Sequence, residues 1–230
     1  MWLYLLSLVG LWYLLRLYRE RQVVSHLHDK YVFITGCDSG FGNLLARQLD
    51  MRGMRVLAAC LTEEGAEQLS KKTSDRLETV ILDVTKTESI AAATQWVKER
   101  VGDKREFSCF GVNVIIIEPG FFKTVATSSE ELSRNIKNLW DQSSPDMKEI
   151  YGEKFLASYL TGIKSLDQKC TEDLSLVTDC MEHALTSCHP RTRYSPGWDA
   201  KLFYLPMSYM PTFLVDAMFC WVFSKPAKAL

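Results

Sequence analysis

The residues of this chain best suited to chemistry are the run Thr35-Gly36-Cys37-Asp38-Ser39-Gly40-Phe41-Gly42. Its glycines follow an apolar stretch, Tyr31-Val-Phe-Ile, and precede a segment of helical spacing, Asn43 to Arg52. Gly36 suits a tight exit from a strand. Gly40 lets the backbone approach a pyrophosphate, and Gly42 allows a helix to pack closely on the strand. The helix N-terminus then presents free N–H groups and the positive end of its dipole to an anion. Placed between strand and helix, the spacing points to dinucleotide binding; a plain glycine turn is the simpler alternative. A ribose-binding acid is expected about 20 residues further on. Glu63 and Glu64 lie near that distance, and no arginine there awaits a 2′-phosphate. That favours NAD over NADP, although both glutamates also fit a solvated helix start.

Little else in the chain forms a reactive set. His26 and His28 fall in a polar stretch, His183 in a helical pattern, and His189 before Pro190. None belongs to a Ser/His/Asp or metal constellation. The seven cysteines are odd in number, and no Cys-x-x-Cys pair occurs, so they read as reduced thiols facing a cytosol-like compartment. A net charge of −1 on 230 residues supplies no basic excess to neutralise phosphates, which argues against nucleic acid as a partner.

The elements that must position the glycine run alternate. Tyr31–Thr35, Arg55–Leu61 and Leu77–Leu82 read as strands, the last closed by Asp83-Val84. Val112–Ile117, continuous in branched side chains, reads as a fourth, of the kind found centrally in parallel sheets. Asn43–Arg52, Glu63–Lys72 and Thr87–Val101 have helical spacing between them. After Pro119-Gly120 come three further helices, Ser129–Trp140, Pro145–Lys164 and Asp173–Ser187. This alternation implies an α/β, doubly wound parallel sheet with right-handed crossovers.

Both ends are apolar. Met1–Leu15 carries no charge and spans roughly 22 Å as a helix, short of a hydrocarbon core of about 30 Å. Arg16, Arg19 and Arg21 follow it. Basic residues after the apolar run, with no Ala-x-Ala-like site, read as an uncleaved membrane anchor rather than a signal peptide. Leu202–Phe223 holds one charge, Asp216, and is interrupted by Pro206 and Pro211. It fits an interfacial helix, a lid over an apolar substrate, or a helix packed on the core.

These residues resemble the short-chain dehydrogenase/reductase superfamily, whose Thr-Gly-x-x-x-Gly-x-Gly motif is matched by Thr35 to Gly42. Asp83-Val84 resembles the family's adenine-holding Asp at the end of its third strand. Ile117-Glu118-Pro119-Gly120 with Thr124 resembles the late strand and Pro-Gly turn near the nicotinamide. Longer segments, DKYVFITGCDSGFG, RVLAACLTEEGAEQL and HPRTRYSPGWDAK, are similar to the microsomal retinol dehydrogenase branch that also oxidises 3α- and 17β-hydroxysteroids. The resemblance implies a Rossmann-like sheet ordered 3-2-1-4-5-6, NAD as cofactor, a retinoid or steroid substrate, and the endoplasmic reticulum membrane. It divides the chain into a membrane anchor (1–18), a linker (19–30), a truncated dinucleotide-binding domain (31–125) and a helical substrate- or membrane-associated region (126–230).

The same family places Asn-Asn-Ala-Gly on its fourth strand, a Ser on its fifth and Tyr-x-x-x-Lys on the next helix. None of these runs is present, and no Tyr is followed by Lys four residues later. The chain passes from Val101-Gly-Asp-Lys104 to Arg105-Glu-Phe-Ser-Cys-Phe-Gly111, which resembles the end of the Tyr/Lys-bearing helix. Strands 4 and 5 of the family are therefore expected to be missing, with the join at Lys104–Arg105 and an exon-skipped transcript as its source. A free phenol, with pKa near 10, needs the lysine's cation to act as a base at neutral pH. Two readings follow: an NAD-dependent alcohol oxidoreductase by descent, or a non-catalytic, membrane-anchored remnant that binds nucleotide or pairs with itself or an intact family member. Loss of strands 4 and 5 leaves the first strand with a free edge, and Val112–Ile117 is expected to pair there, beside Tyr31–Thr35.

Overall fold

The structure, a computed structural model, describes residues 2–101 and 115–222. The expected join at Lys104–Arg105, the segment Arg105–Gly111 and the start of the expected fourth strand lie outside the described residues. The chain divides into two units. One comprises Met1–Ile117 with Ser175–Tyr194, the other Glu118–Leu174 with Ser195–Leu230.

In the first unit, β1 (Tyr31–Thr35), β2 (Arg55–Cys60) and β3 (Leu77–Ile81) form a parallel sheet in the order β1-β2-β3. The register sets Val32 beside Val56 and Ile34 beside Ala58. Alternation along the strands sends Val32, Ile34, Val56, Ala58 and Cys60 to one face. There they meet Leu45, Ala46 and Leu49 of α2 (Gly40–Met51) and Ala66 and Leu69 of α3 (Glu63–Ser70) in one buried cluster. Helix α8 (Ser175–Thr186) packs outside α2. Gln48 donates to the carboxylates of Asp179 and Glu182, and Arg52 pairs with Glu182 at 2.6 Å.

The opposite face of the sheet is thinly covered. Only α4 (Thr87–Val101) packs there among the described helices of this unit, and it leaves a cavity of about 460 Å³ lined by Tyr31, Phe33, Leu57, Val84, Ile90 and Val97. Phe33 is 42% exposed and Val84 66%. Among the described residues, β1 pairs only with β2.

The expected fourth strand is corrected. Of Val112–Ile117, the described part forms β4 (Ile116–Ile117), which pairs in parallel with β5 (Arg193–Tyr194) and not with β1. The Ile116 amide donates to the Thr192 carbonyl at 3.0 Å. Tyr194, 5% exposed, supplies a fixed partner edge, because its hydroxyl is already held by neighbouring groups. Backbone pairing goes to this anchored segment rather than to the open side of β1.

That anchor also fixes α1 (Trp2–Glu20). His183 Nε2–H donates to the Glu20 carbonyl at 2.8 Å, since that oxygen can only accept. Nδ1 then accepts the Tyr194 hydroxyl proton at 2.7 Å, and the same hydroxyl oxygen accepts the Arg191 amide at 3.0 Å. The Glu20 carboxylate is clamped by Arg191 from one side and by Arg16, at 2.9 Å, from the other. Bonds from Val24 N–H to the Thr186 carbonyl and from Cys188 N–H to the Gln22 carbonyl continue the attachment. Among the described residues, no helix is long and apolar enough to cross a membrane.

The second unit holds α5 (Ser129–Gln142), α6 (Pro145–Tyr151) and α7 (Glu153–Asp167). The sequence pattern extends one helix over Pro145–Lys164, but Gly152 takes φ +80° and separates α6 from α7. Ile136, Trp140, Met147, Tyr151, Phe155 and Tyr159 line a cavity of about 360 Å³ between these helices. The proline-interrupted tail forms a π-helical turn, Ala200–Tyr204, then α9 (Leu205–Met207) and, after Pro211, α10 (Thr212–Val222).

Two outcomes follow. Asp50, 4% exposed, accepts from the Ser74 amide and hydroxyl and pairs with Arg76. Asp50→Ala strands these donors and is expected to cost roughly 2 kcal/mol, read from the urea midpoint. The arginine clamp holds the Glu20 carboxyl down to about 2 from its ordinary 4.5, Arg191 contributing first, then Arg16, against the opposing effect of burial. A depressed carboxyl stabilises the fold above its unfolded pKa and loses that contribution as pH falls through the folded one. Tryptic cleavage after Arg21 at neutral pH is therefore expected to be slow, and amide exchange around Cys188 to stay protected at 4.5 and to accelerate towards pH 2. Arg191→Ala accelerates both at neutral pH.

Candidate functional site

The glycine run sits where the sequence places it, between the end of β1 and the start of α2. Gly36 and Gly40 adopt φ +72° and +64°, and a Cβ on either would meet open space. The left-handed conformation, not crowding, demands glycine at both. Gly42 is different. A Cβ there would lie 2.3 Å from the Gly36 carbonyl oxygen, so α2 seats itself directly on the turn. Asn43 Nδ2 donates to the Cys37 carbonyl at 2.9 Å and locks the loop's exit. Ser39, which precedes α2, makes no side-chain cap bond.

Cys37, within this loop, and Cys60, at the end of β2, are fully buried. Burial pushes the Cys37 thiol up to about 12, reinforced by Cys60 and Asp38, and pushes Cys60 up to about 11. Both are protonated packing groups at neutral pH; the Cys37 thiol donates to the Ile34 carbonyl at 3.3 Å.

Asp38 carries more than the glycine spacing reveals. One carboxylate oxygen accepts the Leu61 amide at 2.7 Å, and the other accepts the Thr62 amide at 3.0 Å and hydroxyl at 2.8 Å. Thr62 in turn caps α3 by accepting the Gly65 amide. Burial raises the Asp38 carboxyl, but the Leu61 and Thr62 donors outweigh it and hold the group below its usual range. A fixed negative charge therefore stands where β2 ends. The signal available in the sequence was an acid inside the glycine loop, facing a Thr-Glu-Glu helix start. Glu63 and Glu64 occupy the exposed first turn of α3.

The remaining site residues are placed as follows. Asp83 closes β3 and turns on itself: it accepts the Thr85 hydroxyl at 2.7 Å and amide at 3.0 Å, and pairs with Lys86 at 3.3 Å. Thr85, then Lys86, hold its carboxyl below the usual range. Val84 points into the cavity above the open sheet face. Pro119, Gly120 and Thr124 belong to the second unit. Gly120 donates to the Pro196 carbonyl at 3.0 Å, and a Cβ there would strike Asp199 Oδ1 at 2.0 Å. Thr124 caps the short turn Val125–Thr127. Thr35 to Gly42 and Asp83-Val84 are thus brought together at one end of the sheet. Among the described residues, no three His, Cys, Asp or Glu converge in a way that could hold a metal.

The short chain dehydrogenase family model matches residues 30–103. Retinol dehydrogenase 16 of Rattus norvegicus is 56% identical over 317 aligned positions that cover all of both chains. The chain belongs to the short-chain dehydrogenase family. It falls in the branch containing the retinol dehydrogenases and 17-beta-hydroxysteroid dehydrogenase type 6, whose Rattus norvegicus member is 48% identical over 317 positions, again with full coverage of both. With 230 residues against 317 aligned positions, this chain leaves 87 positions without a counterpart. A short-chain dehydrogenase structure from Streptomyces avermitilis aligns over 83% of this chain and 94% of its own, with 15% identity and a TM-score of 0.48.

Gly42→Ala is expected to force α2 off the turn and cost about 1–3 kcal/mol, as overpacking does, measured by urea denaturation. Gly162→Ala, with nothing within 4 Å of the added carbon, serves as the matched control.

Proposed function

We propose that this chain is a non-catalytic, membrane-associated nucleotide-binding member of the retinol and hydroxysteroid dehydrogenase branch. The observation carrying the reading is an intact glycine cradle in a chain without Tyr-x-x-x-Lys. The turn at Gly36, the close seat of Gly42 and the uncapped start of α2 fit a pyrophosphate. Asp38 supports NAD over NADP, because a 2′-phosphate near the end of β2 would meet its carboxylate, and Leu61–Gly65 offers no cation to offset it. When bound, the nicotinamide would supply hydride acceptance. The sequence has no Tyr-x-x-x-Lys to supply the phenol-ammonium pair that takes the alcohol proton in the resembled mechanism. The end of the family match at residue 103, beside Lys104–Arg105, supports an excision there.

On this reading the chain sits at the endoplasmic reticulum membrane through α1, binds NAD and a retinoid or steroid without turning them over, and pairs with itself or an intact relative. Identity of 56% across the full length favours a second reading, residual oxidoreductase activity on such alcohols.

The test separates them. Microsomes carrying the full chain, supplied with NAD and retinol, are expected to form no NADH above the empty-vector control; formation above it establishes the second reading. Titration with NADH is expected to quench protein fluorescence, with NADPH binding at least roughly tenfold more weakly, a difference of about 1.4 kcal/mol. Gly36→Val, strained at φ +72°, abolishes the quenching.

A further inference from the structure

The cavity of about 460 Å³ over the open face of the β1-β2-β3 sheet is apolar along most of its length and polar at one end. The crossover from β3 runs α4 back against the strands. Val84 and Ile90 therefore lie toward the strand ends that carry the glycine turn, and Lys98 and Val101 toward the strand starts. The Arg100–Glu78 ion pair, between the last turn of α4 and the start of β3, fixes that direction. Tyr31, the first residue of β1, lines the cavity at the same end as Lys98. Two groups there suit an anion. Lys98 is exposed, forms no ion pair with the described residues, and is the one charged side chain in the lining. The Tyr31 hydroxyl oxygen accepts from Arg55 Nη1 at 2.8 Å, because a guanidinium can only donate. The hydroxyl proton is left to donate, and the Arg55 charge stands behind it, 5.3 Å from the ring centroid. Glu78 faces this side of the sheet, in register with Leu57, but its carboxylate is taken by Arg100. Asp29 and Asp75 line an adjoining depression together with Arg55 and Arg76.

We propose that this cavity binds a medium-chain aliphatic carboxylate. Its head meets Lys98 Nζ and the Tyr31 hydroxyl, and its tail runs past Phe33, Leu57 and Ile90 toward Val84. Charge complementarity selects this occupant: an apolar groove with one cation and one hydroxyl at its end matches an apolar tail with one anion at its end. Length agrees, since α4 rises roughly 12 Å from Ile90 to Lys98. The tail also covers Phe33 and Val84, which are otherwise 42% and 66% exposed, and removing that surface from water favours binding. Neither nucleotide nor turnover is required, so failure of this proposal leaves the nucleotide reading above untouched.

The probe is dodecanoate carrying a photoactivated diazirine on its tail, added to the full chain in phosphatidylcholine vesicles, with labelled peptides read by mass spectrometry. Label is expected on the peptides of β1 and α4, and unlabelled dodecanoate is expected to displace it. Dodecanol, with the same tail and no charge, is expected to displace it about fivefold less well. Lys98→Gln lowers the apparent affinity for dodecanoate about fivefold, Lys98→Arg restores it, and Tyr31→Phe lowers it roughly tenfold. Circular dichroism of each variant is expected to match that of the parent chain. Equal displacement by dodecanoate and dodecanol on the unaltered chain, or an affinity unchanged in both Lys98→Gln and Tyr31→Phe, overturns the proposal. Label confined to other peptides overturns it too. Absence of label on β1 and α4 together with a discrete dimer assigns the cavity to a second copy of the chain and likewise overturns it.

Discussion

Two backbone amides and a hydroxyl converge on the Asp38 carboxylate, and the geometry of the glycine loop follows from that convergence. The amides of Leu61 and Thr62 belong to the exit of β2, while the carboxylate belongs to the turn after β1. Joining them fixes how far apart the two strand ends stand. Thr62, held by the same contact, caps α3, and the Gly42 seat holds α2 on the other side. Of these links the Thr62–Gly65 cap is partly buried, so its loss leaves an amide donor unsatisfied. The loop is therefore rigid for reasons separate from its glycines: glycine permits the path, and Asp38, Asn43 and Thr62 hold it.

Much of the first unit could be read directly. Tyr31–Thr35 and Thr87–Val101 have the expected limits, and the other elements between them shift by at most three residues at either end. The strands among them are short and apolar, the helices are amphipathic, and Gly36, Gly53 and Gly102 punctuate them, so local pattern and tertiary demand agree. Where the reading failed, the deciding contact was distant. Ile116 and Ile117 look like a central strand, yet their partner is chosen by Tyr194, whose hydroxyl is fixed by His183. Nothing near Ile116 announces this. Gly152 is the local signal for the break: its positive φ of +80° is open to glycine and ends α6 inside an otherwise helical pattern. The candidate site was legible in its spacing but not in its chemistry. Asp38 stands 23 residues from the amide it accepts, and periodicity carries no information over that separation.

Tyr194 and His183 illustrate a second distinction. A tyrosine and a histidine within hydrogen-bonding distance invite a catalytic reading, yet burial raises the Tyr194 hydroxyl above its ordinary range rather than lowering it. Both ring nitrogens of His183 are committed, one to a helix-terminal carbonyl and the other to that hydroxyl. The pair serves as a rivet between α1, α8 and β5, and residues 187–194 bring distant parts of the chain into the unit that holds the cradle.

The sheet is finished on one face and unfinished on the other. Phe33, Val84 and Ile90 surround an opening on the side where only α4 lies among the described helices of the unit. Greasy concavities of this kind are what heat-shock holdases seize on newly made polypeptides. For a marginally stable domain, capture, refolding and degradation compete to set how much of a polypeptide persists in a cell.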